Sequence, residues 1–366
     1  MYIWEQTDWP EFSWDGKQIT TTLLKARHEQ GRLLGHMEAL GFQLQEEAVL
    51  RTLTEDVLKS SEIEGENLDP DQVRSSIARR LGMDIGGLKP ADRNVEGVVE
   101  MMLDATRHFD QALTKDRLFD WHASLFPTGR NLMTKIRVGD WRDDANGPME
   151  VVSGPIGREQ VHYTAPPAMR LEAETSRFLD WFSGKQEIDP VLKAGLAHLW
   201  FVTLHPFDDG NGRIARAIAD MALARSEGSA QRFYSMSAQI RSERNDYYDI
   251  LEATQKGPLD VTRWLVWFLD CLLRATESAQ ETLGSVMIKA RFWERFATEA
   301  LNERQIKVLN RMLDGFEGKL TSSKWAKLAK CSQDTAYRDI LDLLEKGALQ
   351  KNPGGGRSTS YDLTQG

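Results

Sequence analysis

Apolar residues recur at helical spacing along most of this chain, and one interval, 138–167, breaks that pattern. From about residue 20 to residue 80, leucine, valine and methionine follow one another at three- and four-residue steps. Comparable patterns cover 94–126, 169–182, 191–204, 214–227, 246–254 and 260–282. The interval 138–167 instead holds eight glycines and prolines, and two short β-type runs, 150–153 and 160–164, predict a β-hairpin there. We therefore expect a mainly α fold with one hairpin.

Length and charge restrict the class of protein. At about 150 residues per domain, 366 residues correspond to two or three domains. A formal charge of −9 argues against a protein that coats nucleic acid or anionic membrane with its whole surface. The two cysteines, Cys271 and Cys331, exclude a disulfide scaffold and fit a reducing compartment. The acidic start is unlike a secretory signal, and no apolar stretch is long enough to span a membrane, so we expect a cytoplasmic protein.

Three tryptophans lie within the first 15 residues. Trp4, Trp9 and Trp14 follow neither a helical nor a strand period, and Pro10 lies between them. We interpret this region as an extended segment whose indole rings pack it against the rest of the protein, with a ligand or partner contact as the alternative.

The last 65 residues differ in character. The sequence predicts helices over 304–313, 321–328 and 333–344, then two strands, 348–351 and 358–363, around a glycine turn. This order is typical of a winged helix-turn-helix domain, which we assign to 300–366. Residues 300–366 hold 11 basic and 8 acidic residues, so this region is positive whereas the remainder carries −12.

Two readings of this terminal domain stay open. As a DNA-binding module, it would contact DNA through the helix 333–344 and through the wing. The candidate contacts are Gln333, Thr335, Tyr337, Arg338, Lys351 and Arg357. Against this, Asp334, Asp339 and Asp342 would face phosphates badly, so a protein-interaction or dimerisation module is the alternative.

The segment 204–216, LHPFDDGNGRIAR, combines residues that suit phosphate chemistry. The sequence predicts a helix that ends at His205, a tight loop over 208–212, and a new helix from about Asn211 or Gly212. Two glycines at a helix N-terminus expose backbone N–H groups, which bind phosphate. Arg213 and Arg216 share one helix face and can reach further phosphates.

An acid and a base complete this pattern. Asp209 can hold Mg²⁺ that bridges phosphates, and His205 can act as a general base at neutral pH. A Gly-Asn-Gly turn, a His-Pro helix end or an arginine pair alone is ordinary structure. Together they indicate a site for phosphoryl or nucleotidyl transfer.

The segment resembles the motif of the Fic family, H-x-F-x-[DE]-G-N-G-R-x-x-R. It matches at every fixed position, namely His205, Phe207, Asp209, Gly210, Asn211, Gly212, Arg213 and Arg216. Fic proteins are mostly helical and commonly transfer AMP from ATP to a Ser, Thr or Tyr hydroxyl of a target protein. The resemblance therefore implies a Fic helical bundle over 91–285 and a protein adenylyltransferase that uses ATP and Mg²⁺.

The resemblance also implies roles for single residues. His205 would deprotonate the target hydroxyl, Phe207 would hold the loop in the core, and Asp209 would bind Mg²⁺ on the α- and β-phosphates. Attack on the α-phosphorus would then expel pyrophosphate.

The remaining motif positions would bind the phosphates. Gly210, Asn211 and Gly212 would form an anion hole, with the Asn211 side chain near the α-phosphate. Arg213 would reach the β-phosphate and Arg216 the γ-phosphate.

The hairpin over 150–164 lies where Fic proteins place a flap that binds the target segment by strand addition. We call 150–164 the flap. Its candidate target contacts are Val152, Ser153, His162 and Tyr163. Tyr247 and Tyr248 lie where the family often places an adenine contact, with Tyr248 as the candidate, although an aromatic pair on a helix more often packs in the core.

A second motif, SSEIEG at 60–65, resembles the inhibitory motif of the family, [ST]-x-x-x-E-[GN]. Ser60 and Glu64 are four apart and share a helix face. A Glu64 carboxylate paired with Arg216 would occupy the γ-phosphate position and misplace ATP. In some regulated Fic proteins the same glutamate positions water for removal of AMP, so deAMPylation stays open. A solvent-facing acidic helix end is the alternative.

Three functional hypotheses follow. The first is a self-inhibited adenylyltransferase, with an N-terminal helical region over 1–90 that carries the inhibitory motif. Its partners would be ATP and a target protein of unknown identity, the chain itself included, and the family also allows a homodimer. The second is a DNA-binding regulator whose Fic core senses nucleotide. The third is a Fic enzyme with another reaction, such as UMP transfer or phosphorylation.

Overall fold

The structure, a computed structural model, consists mainly of helices. It describes residues 1–39, 42–83, 88–131, 134–155, 157–185, 187–313, 318–353 and 359–364, without the side chains of 42, 43, 285 and 286. The chain divides into two units, Met1–Ala279 and Gln280–Gly366. The expectation of a mainly α fold is confirmed.

The first unit is a helical bundle. Its helices are α1 (Gly16–Glu38), α2 (Phe42–Ile63), α3 (Pro70–Leu81), α4 (Arg93–Arg107), α5 (Lys115–Leu125), α6 (Leu171–Ser183), α7 (Pro190–Leu204), α8 (Asn211–Glu227), α9 (Met236–Ser242) and α10 (Arg244–Gln255). The helix α11 (Thr262–Arg295) crosses the boundary between the units. Within the described residues, no helix combines the length and the apolar character that a membrane crossing requires.

Two adjacent helices form the centre of this bundle. α7 is apolar on all sides and almost entirely buried, as expected for a central helix, and α8 packs along it with a mostly buried surface. α7 starts where Asp189 caps the helix and Pro190 occupies the first turn. Because the predicted phosphate loop joins α7 to α8, two largely buried helices position it.

Three two-stranded antiparallel sheets occur in the described residues. They are β1 (Arg130–Asn131) with β2 (Thr134–Lys135), β3 (Glu150–Ser153) with β4 (Gln160–Thr164), and β5 (Leu349–Lys351) with β6 (Tyr361–Leu363). The predicted hairpin over 150–164 is confirmed at both strands, and a bulge shifts its register between Val151 and Val152. Sequence reasoning missed β1, β2 and the short helix α9, which lack a run long enough to show a period.

The tryptophan-rich start packs against the first unit, which confirms the interpretation that favoured packing. The indole of Trp9 donates a hydrogen bond to Glu174 and its ring lies edge-on to Phe12 and Trp200. Trp4 donates to the carbonyl of Thr164, at the end of the flap. Ile3–Glu5 forms a short 3₁₀ helix in this otherwise irregular segment.

The second unit has a core of its own. Helices α12 (Glu303–Leu313), α13 (Ser322–Ala329) and α14 (Gln333–Glu345) precede β5 and β6, and Leu320 pairs with Tyr361 as an isolated antiparallel bridge. Trp325, Ile340 and Leu343 are fully buried in this core. The predicted loop at Gly86 and Gly87, and the glycine turn at 354–357, lie outside the described residues.

Candidate active site

The loop between α7 and α8 is held by a buried phenylalanine. α7 ends at His205, which adopts a left-handed conformation (φ 47°, ψ 55°) and turns the chain out of the helix. Phe207 is fully buried, and its ring stacks on His122 with centroids 4.1 Å apart. The expected core role of Phe207 therefore matches its position.

The Asn211 side chain bonds the backbone of its own loop. Its Oδ1 accepts a hydrogen bond from the Phe207 N–H at 3.0 Å, and its Nδ2 donates to the Phe207 carbonyl at 2.8 Å. Both polar atoms are thus used to fix the loop. Such local bonds between a side chain and the backbone stabilise a turn, and the proximity of Asn211 to the α-phosphate stays a prediction.

Two glycines of the loop lie close to neighbouring side chains. Gly210 has φ 81°, and a Cβ there would lie 3.0–3.1 Å from Phe126 and Leu125. A Cβ at Gly212 would clash with the Glu64 carboxylate. No side chain caps the start of α8 at Gly210. Glu64 thus lies beside the first turn of α8, whose N–H groups have no intrahelical acceptor, which is a position suited to an anion.

The His205 ring is neutral and has one unprotonated nitrogen, as a general base requires. Its Nδ1 lies 3.2 Å from the Val202 carbonyl, so Nδ1 carries the proton and Nε2 carries the lone pair. Burial, which outweighs the raising effect of the Val202 carbonyl, lowers the pKa of His205 to about 4, and the charge of Arg142 acts in the same direction as burial. The ring is therefore neutral at pH 7 and able to accept a proton.

Arg142 fixes the backbone of His205 and was missed in the sequence. Its Nε donates to the His205 carbonyl at 2.8 Å, and its Nη2 donates to the Pro166 carbonyl at 2.5 Å. The Arg142 N–H also donates to the Pro206 carbonyl at 2.9 Å. One buried guanidinium thus joins the base to the chain just after the flap, and no local sequence pattern marks it.

Both oxygens of the Asp209 carboxylate accept hydrogen bonds from neighbouring groups. Its Oδ1 accepts from the Gly210 N–H at 2.5 Å, and its Oδ2 accepts from the Asn131 side chain. The described residues contain no cluster of three or more His, Cys, Asp or Glu side chains that could hold a metal alone. A single carboxylate with hard oxygen donors still fits Mg²⁺, which commonly takes one or two carboxylates and completes its shell with water and phosphate.

The two motif arginines are buried and face acids. Arg213 and Arg216 are each only 2 % exposed. Arg216 Nη2 lies 2.8 Å from Glu64 Oε1, and its Nε donates to the Ser60 hydroxyl at 3.0 Å. Its Nη2 also donates to the Ser60 carbonyl at 2.8 Å. The structure therefore brings the two predicted inhibitory residues, Ser60 and Glu64, onto the arginine expected to bind the γ-phosphate.

Contacts from α10 hold the end of α2 in this position. The Ile63 carbonyl accepts from Arg244 Nε at 2.8 Å and from the Tyr248 hydroxyl at 3.4 Å. The Tyr248 ring lies against the Arg244 guanidinium. Its neighbour Tyr247 is buried and bonds His198. Tyr248 thus lies beside the inhibitory motif, and its contact with adenine stays a prediction.

The flap residues divide into exposed and buried positions. Val152 is 47 % exposed and Ser153 is exposed, so both can meet a target. Tyr163 is 1 % exposed and its hydroxyl donates to the Thr203 carbonyl at 2.7 Å. It therefore ties the flap to α7, which corrects the expectation of a target contact. His162 lies 2.6 Å from both the Ser153 hydroxyl and the Glu252 carboxylate, so its ring joins β3 to α10.

An uncapped glycine loop, two buried arginines and a neutral histidine thus lie together in the helical bundle, an arrangement suited to binding phosphate. Residues 112–223 match the model of the Fic/DOC family, and residues 2–83 match a domain of unknown function, DUF4172. The chain therefore contains a Fic/DOC-family domain, which confirms the resemblance seen in the motif.

Curated relatives carry the same kind of domain. A protein adenylyltransferase Fic from Culex quinquefasciatus is 30% identical over 132 residues, which cover 35% of this chain and 25% of that protein. One from Nematostella vectensis is 31% identical over 116 residues, 31% of this chain and 25% of that protein. The chain thus matches about a quarter of the length of these relatives.

Solved structures share the fold. A Fic family protein from Desulfovibrio desulfuricans G20 has a TM-score of 0.55 at 22% identity and covers 95% of this chain and 96% of its own. Fic-1 from C. elegans has a TM-score of 0.51 at 20% identity, with 74% of each chain covered.

Proposed function

We propose that this chain is a Fic-type protein adenylyltransferase that transfers AMP from ATP to a hydroxyl of a target protein. The observation that carries the proposal is the position of His205. Its unprotonated Nε2 belongs to the residue that ends α7, and the uncapped N-terminus of α8 and two buried arginines follow in the same loop and helix. The curated relatives named adenylyltransferases support the same reaction.

The chemistry assigns one task to each group. His205 Nε2 takes the proton of the target hydroxyl as that oxygen bonds to the α-phosphorus, and the bond from the α-phosphorus to pyrophosphate breaks. The first N–H groups of α8 stabilise the charge on the α-phosphate. Arg213 and Arg216 bind the β- and γ-phosphates and orient the leaving group.

Asp209 is the residue that would hold Mg²⁺. When bound, the ion neutralises phosphate charge and favours departure of pyrophosphate. Asn131 and the Gly210 N–H orient the Asp209 carboxylate in advance.

Self-inhibition by Glu64 belongs to the same proposal. The Glu64 carboxylate binds Arg216 and lies at Gly212, so it occupies space that the triphosphate needs. Removal of this carboxylate frees one arginine and the start of α8 together. The same carboxylate is the group that would position water in a deAMPylation reaction.

Labelled nucleotide tests the proposal. The wild type, Glu64→Gly and His205→Ala are incubated with Mg²⁺-ATP labelled at the α- or the γ-phosphate. We expect Glu64→Gly to incorporate more α-label than the wild type, because the triphosphate no longer competes with a bound carboxylate. Glu55→Ala, a change on an exposed face of the same helix, serves as the matched control and should behave as the wild type.

Each of the other outcomes contradicts one part of the proposed function. Equal incorporation by Glu64→Gly and the wild type contradicts self-inhibition. Incorporation of the γ-label indicates phosphorylation, and labelling from UTP alone indicates UMP transfer. Absence of label from any nucleotide favours a nucleotide-sensing regulator.

The second unit supports a second candidate function, binding of duplex DNA by a winged helix. Two of the three acids that argued against DNA are paired with neighbouring side chains, whereas Asp334 stays exposed on α14. Asp339 is buried against Arg304, and Asp342 pairs with Lys346 and Gln305. The exposed side chains Gln333, Tyr337 and Arg338 remain, Thr335 is half-buried, and Lys351 is exposed on β5. Arg357 lies outside the described residues.

A salt titration tests DNA binding. We expect affinity for duplex DNA to fall linearly with the logarithm of salt concentration, and Arg338→Ala to reduce that slope by about one. Arg311→Ala, an exposed arginine on α12, is the control and should keep the slope. Salt-independent binding, or none, contradicts the DNA reading and favours a protein partner.

A further inference from the structure

A second acid follows the inhibitory glutamate and lies on the other motif arginine. Glu66 Oε2 is 2.7 Å from Arg213 Nη1, while Glu64 Oε1 is 2.8 Å from Arg216 Nη2. We propose that Glu66 is a second inhibitory residue, which occupies the β-phosphate position of the resting protein and so excludes nucleoside diphosphates as well as triphosphates. This inference rests on the proposed function, because it uses the β-phosphate role of Arg213.

A helix-ending turn fixes both acids at once. The Glu66 N–H bonds the Ser61 carbonyl at 3.0 Å, and the Gly65 N–H bonds the Glu62 carbonyl at 3.1 Å. This pair of bonds, with Gly65 at φ 84°, is the Schellman motif that ends many helices. Glu64 and Glu66 therefore flank one rigid left-handed glycine, and each reaches a different arginine of α8.

Burial makes the contact with Arg213 more than a surface ion pair. The Arg213 side chain is almost fully buried, its guanidinium lies over the Phe126 ring at 5.2 Å, and Glu66 is about one third exposed. A buried guanidinium needs a counter-charge, and an anion that approaches it must displace the acid already there. The Nε of Arg213 has no hydrogen-bond partner in the described part of the chain, so the site keeps a donor for a further oxygen.

The charges around the two arginines oppose a nucleotide in the resting state. Glu64, Glu66 and Asp209 surround Arg213 and Arg216, and Asp209 and Glu64 lie close enough to Glu66 to repel it. The three carboxylates therefore offset much of the positive charge of the two guanidinium groups. A polyphosphate therefore gains little until an acid leaves.

The two acids should distinguish nucleotides by their number of phosphates. AMP reaches neither arginine, ADP competes with Glu66 on Arg213, and ATP competes with both acids. Loss of the Glu66 charge should thus favour ADP and ATP alike. Loss of the Glu64 charge should favour ATP most, because only ATP reaches Arg216.

Calorimetric titration with Mg²⁺-bound nucleotides tests this pattern. We expect Glu66→Gln to bind ADP and ATP about tenfold more tightly than the wild type, since one charge-assisted contact no longer competes. Glu64→Gln should tighten ATP by a similar factor. AMP affinity should stay constant in Glu66→Gln, because AMP does not reach Arg213. Glu62→Gln, which changes a neighbouring acid bound to Lys59, is the matched control and should match the wild type.

The outcomes separate this inference from the proposed function. An ADP affinity that Glu66→Gln leaves unchanged, while Glu64→Gln tightens ATP, overturns the role of Glu66 alone. Tighter ADP binding in Glu66→Gln, without AMP transfer by any variant, supports the inhibitory role of Glu66. It contradicts the proposed adenylyltransferase activity. Absence of nucleotide binding in every variant contradicts both. Circular dichroism of each variant verifies that the helices are intact.

Discussion

Replacement of His205 by Ala in the Glu64→Gly background is expected to lower the rate of AMP incorporation by about 10²- to 10⁴-fold, the usual contribution of a general base. The reason is that Nε2 is the unprotonated nitrogen of a ring whose other nitrogen faces the Val202 carbonyl. Single-turnover measurements with α-labelled ATP would give this ratio. His36→Ala, at an exposed position on α1, should leave the rate unchanged.

The same base predicts an unusual pH profile. An unperturbed histidine would lose half of its base form near pH 6.5, whereas burial lowers the pKa of His205 to about 4. As the pH falls, His205 therefore stays unprotonated through pH 6 and 5, and kcat/KM of Glu64→Gly should fall only near pH 4. A fall of kcat/KM centred near pH 6.5, with the helical circular dichroism signal intact, would contradict the role of His205 as a base with a lowered pKa.

The second large effect is expected in stability. Asp220 on α8 and Arg232 in the segment before α9 form a buried ion pair, with Arg232 Nη2 2.8 Å from Asp220 Oδ1. Burial, and after it the neighbouring Asp56, raise the pKa of Asp220 well above its usual range, while Arg232 lowers it. Replacement of Arg232 by Ala leaves two acids buried without their cation, and it should lower the free energy of unfolding by about 3–5 kcal/mol.

Urea denaturation followed by circular dichroism measures this change. Arg137→Ala is the matched control, because Arg137 also faces two acids, Asp140 and Asp143, but on the surface. Its removal should hardly move the transition, since solvent screens such pairs. Equal shifts for the two arginine variants would contradict the importance of burial. Because Asp220 is on the same helix as the phosphate loop, AMP transfer should decline along with stability.

The sequence was most informative where the chemistry is local. The phosphate loop, the helices around it and the hairpin strands depend on residues within a few positions of each other, and they were predicted closely. Glu64 was found because its family motif is local too. By contrast, Glu66 meets Arg213 across 147 positions, and Arg142 meets His205 across 63. No period or spacing connects such residues, so only the folded chain brings them together.

Some side chains bond to backbone groups that the sequence did not indicate. Asn211 and Tyr163 are close to the expected site, but both turn inward and bond to backbone groups. A motif match predicts which site a residue belongs to, but it does not predict the direction in which the side chain points. The direction depends on which backbone groups lack partners nearby, and this follows from packing.

The hydrogen bonds to the Ile63 carbonyl have a thermodynamic consequence. Arg244 and Tyr248 hold the end of α2 through that single oxygen, and Tyr248 is also the predicted contact of the adenine ring. If adenine binding weakens the docking of the α2 end by some factor, then by reciprocity undocking of that end must raise nucleotide affinity by the same factor. Tyr248→Phe would thus measure the free energy that couples nucleotide occupancy to the position of the inhibitory helix.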